Sequence, residues 1–449
     1  MLTLTIRKYY ILSLLVGVII LFMVFSSNDI NNYEEKRHTT TPTYSYFSKN
    51  ANKSNDLISN EIYSDYEINQ ILMKQKIARL EKKYQKTQSI VLNSKSMMKP
   101  NYNIHIFYYA WYGNIIMDGK YKHWNHQYME NWKKDDRKKY PRGRHRPPDD
   151  IGSNYYPLLG CYSSSESSVI DEHLRQISEA GVGVIVVSWT PPNLADTPYK
   201  ILPKLLNTAL KYNVKISIQV EPYIGRNPIN LITHLKQFFK EYNDHSALYK
   251  IRKPLSEKMV PVIYIYDSYL IPSVAWRELF SSKGNLSVRN TTIDAIYLGL
   301  LVDLQHKYHI KKSQFDGFYT YFATNSFTYG STWKNWRHLA KFANQNGLIF
   351  IPSVGPGYID TRVRPWNVGN TRHRRHGQYY DVAWRAAVNN KVNYISITSF
   401  NEWHEGTQIE PARSKVTSSY TYLDYEPEGS YYYLNLTKSW VIQFEKLMG

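Results

Sequence analysis

The chain has 449 residues, 43% of them hydrophobic, with a formal charge of +19 and a single cysteine, Cys161. That apolar content suffices for a real core, and one cysteine excludes an intrachain disulfide and any cysteine-based metal site. The Lys and Arg are scattered and no nucleic-acid-binding motif accompanies them, so no nucleic-acid partner is inferred; 41 Tyr and 11 Trp suit a carbohydrate cleft as well as a core.

In chain order, Arg7 and Lys8 precede an apolar run from Tyr9 to Phe25. The run approaches the lower limit for a membrane span, about 17 residues, and no A-x-A cleavage site follows it. Basic residues before the span predict a cytoplasmic N-terminus. The expectation is a type II signal-anchor: a tail over 1–8, a span over 9–27, and everything after it luminal. A cleaved signal peptide is the alternative. Residues 28–99 are polar and read as a stem, within which Glu67–Gln85 carries Ile68, Ile71, Leu72, Ile77 and Leu80 at helical spacing.

From about residue 100 apolar runs alternate with amphipathic segments. Strands are predicted at Ile104–Tyr109, Gly183–Ser188, Lys215–Val220, Val260–Tyr266, Ala295–Leu300, Phe318–Phe322, Leu348–Pro352 and Tyr394–Thr398. Helices are predicted at Val169–Ala180 (stopped by Gly181), Ile201–Tyr212, Ile229–Tyr242, Pro272–Phe280, Val302–Lys311, Trp333–Asn346 and Tyr379–Asn389. This alternation predicts an α/β fold, a (β/α)8 TIM barrel over residues 100–449, whose functional groups belong at the C-terminal ends of strands. Tyr109 and Trp111, Trp189, Glu221, Tyr266 and Asp267, Tyr321, and finally Asn401, Glu402 and Glu405 all fall there. Two long loops, Tyr112–Ser165 and Val354–Gly377, are expected to be functional. The stretch Tyr394–Glu410 runs from a buried strand into Asn401, Glu402, His404 and Glu405 among aromatics, a plausible acid–base pair of the kind glycoside hydrolysis needs. A solvated turn with two surface acids is the plainer reading of that spacing.

The motifs F-Y-Y-A-W-Y-G-N (107–114), H-W-N-H (123–126), Y-P-R-G-R-H-R-P-P-D-D-I-G-S (140–153), Y-I-Y-D-S-Y (264–269), F-D-G-F-Y-T-Y-F-A-T-N (315–325), I-P-S-V-G-P-G-Y-I-D-T-R-V-R-P-W-N (351–367) and S-I-T-S-F-N-E-W-H-E-G-T-Q-I-E (396–410) resemble the endo-α-1,2-mannosidases of glycoside hydrolase family ninety-nine. The resemblance covers nearly all of residues 101–449. It implies a metal-independent, cofactor-free retaining hydrolase that cuts inside an oligosaccharide. Its animal members act on the glucose-capped arm of high-mannose N-glycans and release glucosyl-mannose. It implies that Glu402 deprotonates the mannose 2-hydroxyl, which attacks its own anomeric carbon to form a 1,2-anhydro sugar, and that Glu405 protonates the leaving oxygen and then activates water. Tyr321 and Arg364 then line the reacting sugar's site, Arg364 holding a hydroxyl or orienting Glu402. Trp189 becomes a platform on the glucose side, and Glu221 a binder of sugar hydroxyls, where other members carry Gln. Tyr109, Trp111 and His123 wall the cleft, with Tyr266, Asp267, Asn401 and His404 as further contacts.

His123, His126 and His404 suggest a metal only weakly, because the H-x-x-H pair is not on a helix and no clear third ligand presents itself. Asn52, Asn285, Asn290 and Asn435 begin N-x-[ST] sequons, usable only in a luminal domain. The family plan further implies a Golgi membrane location. Rival readings are an inactive carbohydrate-binding barrel and a Golgi glycosyltransferase. Retention of both acids opposes the first, and the lack of a convincing D-x-D motif the second. Oligomeric state is not legible in the sequence.

Overall fold

A computed structural model describes residues 99–192, 198–254 and 256–448. The predicted tail and anchor, the stem up to residue 98, and Asn52 lie outside the described residues. Among the described residues no helix is long and apolar enough to cross a membrane.

The strands are β1 (Asn101–Tyr108), β2 (Val182–Trp189), β3 (Lys215–Val220), β4 (Lys250–Arg252), β5 (Met259–Ile265), β6 (Ile296–Leu300), β7 (Gly317–Tyr319), β8 (Ile349–Ile351), β9 (Ser353–Val354) and β10 (Ile395–Ile397). All but β4 form one parallel sheet in the order β8-β7-β6-β5-β3-β2-β1-β10-β9. β8 and β9 are halves of one stave broken at Pro352. β8 pairs with β7 through Gly317↔Ile349, and β9 pairs with β10 through Ser396↔Ser353. Proline has no N–H to give the ladder, but its carbonyl still accepts from the Ser396 amide at 3.0 Å. The sheet therefore closes into a barrel whose staves are the eight predicted strands. β4, which the sequence did not reveal, only lengthens β5 with an antiparallel partner.

The strands are buried on both faces, as a barrel requires; every residue of β2 is buried. Aromatic rings fill much of the interior. Phe107, Tyr264 and Tyr319 meet across the barrel at centroid distances of 4.9 to 5.8 Å, and the Tyr319 hydroxyl donates to Gln219 Oε1 at 3.2 Å. Below them His105 is pinned between the Tyr264 hydroxyl and the Tyr102 carbonyl.

Helices α1 (Ser167–Glu179), α2 (Pro198–Lys211), α3 (Pro228–Tyr242), α4 (Ser273–Phe280), α5 (His306–Ser313), α6 (Trp336–Asn346) and α7 (Gln378–Asn389) cover the outside, all close to their predicted positions. Their ends follow local chemistry. Asn227 caps α3 by accepting from the Asn230 amide, with Pro228 in the first turn, and α6 stops at Gly347 in the left-handed conformation. The eighth helix, α8 (Tyr432–Met448), was not anticipated. Its opening Y-Y-L-N-L-T is aromatic-rich and weak in helix propensity. Packing makes it a helix: Leu434, Leu436, Val441 and Phe444 are buried, and Trp440 stacks on Trp384 at an interplanar angle of 3° while its indole donates to Asp381. Each such side chain contributes about 1.5–3 kcal/mol through burial.

Asn285 and Asn290 are exposed between α4 and β6. Asn435 is exposed on α8, but the Thr437 that completes its sequon is fully buried and bonded to the Tyr433 carbonyl.

Candidate active site

The stave β10 ends at Ile397, and the chain then turns through a short 3-10 turn, Trp403–Glu405, closed by Gly406. Gly406 has φ +61°. A Cβ there would stand 2.7 Å from the Ile359 carbonyl oxygen, so only glycine fits. This turn aims Glu402 and Glu405 into the barrel mouth. Glu402 is 4% exposed, and its Oε2 has no hydrogen-bond partner among the described residues. Burial, then the charge of Glu405, hold the Glu402 carboxyl well above the ordinary range, while Arg364 and a backbone donor at His404 pull the other way. Burial also pushes Glu405 up to about 7, against the pull of Arg364 and with a further push from Asp360. The two buried carboxyls interact, so their protons come off as a pair rather than independently. One acid and one base at the same pH is what the chemistry needs.

Phenols surround the pair. Tyr109, after β1, and Tyr321, after β7, join their hydroxyls directly. Tyr321 has a left-handed backbone, φ 54°, which ends β7 three residues before the predicted strand boundary and swings its ring inward. Its amide is held by Ser353 Oγ at 2.8 Å, and its ring meets Tyr266 edge-on at 5.1 Å. Trp111 stacks on His123 at 4.5 Å with an interplanar angle of 2°. His404 donates Nδ1–H to the Gly152 carbonyl at 2.7 Å, which leaves Nε2 as a buried acceptor with no partner among the described residues. Burial, with His126 and His123 nearby, holds this ring below the ordinary histidine range and so neutral. His126 likewise spends its Nδ1 on the Gln127 carbonyl. No group of three or more His, Cys, Asp or Glu side chains that could hold a metal occurs among the described residues.

At the ends of β3 and β5, Glu221 is pushed up to about 7 by burial while Gln219 donates to it at 2.8 Å. Asp267 is also raised by burial and accepts from the Tyr269 hydroxyl at 2.7 Å. Between them lies Arg226, overlooked in the sequence. It donates to the Tyr266 and Asp267 carbonyls at 2.6 and 2.9 Å and fixes the turn that carries both residues.

Three expected roles change. Asn401 is not a sugar contact: it is wholly buried, accepts from the Tyr109 amide at 2.8 Å and donates to the Tyr109 carbonyl at 2.9 Å. Its side chain is consumed in joining the end of β10 to the end of β1. Trp189 is 0% exposed with its ring against Phe238, so it offers no face to a sugar in this arrangement. Arg364 lies against Glu405 rather than serving Glu402 alone, with Nη1 3.6 Å from Glu405 Oε1.

Asp360, also overlooked, holds that arginine. It is fully buried, and its Oδ2 accepts from the Tyr358 hydroxyl at 2.9 Å, Arg364 Nη1 at 3.1 Å and Asn367 Nδ2 at 3.0 Å. The same segment is latched to the acid by the Ile359 amide donating to the Glu405 carbonyl at 2.8 Å. The Asp360 charge favours the protonated form of Glu405 and occupies Arg364. Asp360→Asn removes the first effect and frees Arg364 to favour the ionised form. Both lower the Glu405 pKa, so the alkaline limb of the rate profile moves to lower pH, by about one unit. A pH–kcat/KM profile of the variant checks this; an unmoved limb would assign Asp360 to the fold alone.

A buried acid–base pair ringed by phenols and indoles at the C-terminal mouth of such a barrel can protonate a leaving oxygen and draw a proton from a hydroxyl. Those are the needs of glycosidic bond cleavage, and they put the protein among the barrel glycosidases. Relatives agree. Residues 99–446 match the model of Glycosyl hydrolase family 99, and the chain belongs to that family. It is similar to the glycoprotein endo-alpha-1,2-mannosidase of Rattus norvegicus, 48% identical over 360 residues, 79% of this chain and 78% of the relative. It is 45% identical over 348 residues to the glycoprotein endo-alpha-1,2-mannosidase-like protein of Homo sapiens, 77% of this chain and 76% of that one. The solved GH99 endo-alpha-mannosidase of Bacteroides thetaiotaomicron superposes with a TM-score of 0.74 at 41% identity, covering 78% of this chain and all of that one.

Proposed function

We propose that this glycosidase is an endo-α-1,2-mannosidase of glucosylated high-mannose N-glycans, releasing glucosyl-mannose through a 1,2-anhydro sugar. The observation that carries the reading is the paired elevation of Glu402 and Glu405 at the barrel mouth, with Arg364 Nη1 3.6 Å from Glu405 Oε1. The mannose 2-hydroxyl is axial and trans to an α leaving group, so its oxygen can attack the anomeric carbon in line. Its proton passes to Glu402 as the glycosidic C–O bond breaks, and the leaving oxygen takes the proton of Glu405. Water, deprotonated by Glu405, then opens the anhydro ring at the anomeric carbon while Glu402 returns its proton to the 2-oxygen. Two inversions give retention. Neutral His404 Nε2 and the free Oε2 of Glu402 are buried acceptors suited to sugar hydroxyls.

The supporting experiment is incubation of the protein with a glucosylated high-mannose glycan. The expected product is a glucosyl-mannose disaccharide, first formed as the α-anomer by NMR. A glycan whose reacting mannose lacks its 2-hydroxyl is expected to remain uncut. Its cleavage at the normal rate would sink the anhydro route while leaving the hydrolase reading intact. The same proposal includes a type II Golgi membrane address through residues 9–27, with the barrel luminal and glycans on Asn285 and Asn290. It is supported by the basic residues before the apolar run and by the exposure of both asparagines.

A further inference from the structure

The catalytic reading accounts for the carboxyls and rings at the mouth but not for the charge beside them. Between residues 130 and 146 the loop after β1 holds eight Lys or Arg and three Asp or Glu. Arg137 is matched by Glu130 at 3.1 Å, and Lys139 by Asp136 at 2.6 Å. Lys133, Lys134, Lys138, Arg142 and Arg146 remain exposed, with Asp135 the only acid of the segment left against them. This cationic stretch is not a loose loop. Tyr128 pairs with Gly143 through its amide at 2.9 Å, the Met129 amide donates to the Val363 carbonyl at 2.8 Å, and Trp366 Nε1 donates to the Met129 carbonyl at 3.2 Å. His145 bonds the Arg362 carbonyl at 2.6 Å. The first of these bonds closes the segment on itself, and the other three fix the basic platform to the loop that carries Arg364, on the rim next to Glu405.

A neutral oligosaccharide gains little from a fixed field of one sign. The rest of its carrier can gain: an N-glycan arrives on a polypeptide, and an endo-acting cut leaves the protein-bearing side at the mouth. We propose that the 130–146 segment is a docking platform for acidic polypeptide flanking the glycosylated asparagine of the substrate. The inference rests on the N-glycan reading above. A lipid surface is the poorer occupant. β1 begins at Asn101, at the end of the barrel opposite the site, and a membrane laid on the rim would cover the cleft.

The test uses glycopeptides that carry the glucosylated glycan on an asparagine flanked either by glutamates or by glutamines, with the free glycan as a third substrate. At low salt the native protein is expected to show a KM about fivefold lower for the glutamate peptide, a difference that salt erases. Lys133→Glu/Lys134→Glu/Lys138→Glu should abolish that preference and leave kcat/KM on the free glycan unchanged, which also reports intact folding. Equal KM values for the two peptides with native protein overturn the proposal. Fluorescence anisotropy with the same labelled peptides reads the preference independently of cleavage, so a failed hydrolysis reading and a failed platform are told apart. If the triple variant instead loses binding to phosphatidylserine-containing vesicles while both peptides bind alike, the segment is a lipid contact and the proposal is wrong.

Discussion

Glu402→Gln and Glu405→Gln are each expected to lower kcat on a glucosylated high-mannose glycan by about 10³-fold or more, the upper range for removing one acid–base group. The two variants should separate when the leaving group changes. A glycosyl fluoride leaves without a proton, so its bond cleavage no longer depends on Glu405, and the first step of Glu405→Gln recovers. Glu402→Gln gains nothing, because the 2-hydroxyl still needs its base. Equal rescue of both would reverse or merge the roles assigned here. The same variants carry a stability signature. Each carboxyl titrates higher in the folded protein than in the unfolded chain, so the folded state holds its proton longer. Stability is therefore lost as pH rises from the unfolded value, near 4.3, toward the folded one. Glutamine escapes that loss. Glu402→Gln should melt at a higher temperature than the native protein at pH 7.5, by a few degrees, and at the same temperature at pH 4. A differential scanning measurement at both pH values decides it.

Glu410→Ala should be the most destabilising single change near the site, about 3–5 kcal/mol, which lowers the melting temperature by about 10 °C in a domain of this size. Glu410 is 1% exposed. Its Oε2 accepts from Trp403 Nε1 at 2.9 Å and the Tyr162 hydroxyl at 2.8 Å, and its Oε1 faces His173 Nε2 at 3.2 Å. Alanine strands three buried donors at once. Trp403 lies in the chain between Glu402 and Glu405, so activity below the melting point should fall as well. Glu410→Gln keeps an acceptor and the volume, and should cost about half as much. A melting temperature unchanged in Glu410→Ala would mean that the network beneath the turn bears no strain from its loss.

Much of this was readable in advance because it is local. Eight apolar runs became eight staves, and seven helices formed close to where the amphipathic segments placed them. The acids could be placed because barrel enzymes put chemistry at strand ends, and because the motif around Glu402 and Glu405 is long. What stayed hidden depends on distant partners. Asn401 looks like any polar active-site residue until its bonds to Tyr109, 292 positions earlier, are seen. Arg226 and Asp360 sit in unremarkable turns and act only through backbone carbonyls or another side chain. Trp189 ends a strand at the mouth side, where a platform would sit, but the neighbouring helix claims its ring. α8 lacks propensity and exists by packing.

The clasp between Asn401 and Tyr109 also fixes when the enzyme can begin to work. The first stave leaves the ribosome some three hundred residues before its partner, and the bonds from Asn401 to the Tyr109 backbone cannot form until the end of that interval. Such a separation makes folding depend on a late, long-range closure rather than on sequential local steps. A nascent barrel therefore lacks this clasp until the last stave has emerged, and hydrolase activity is expected only at completion.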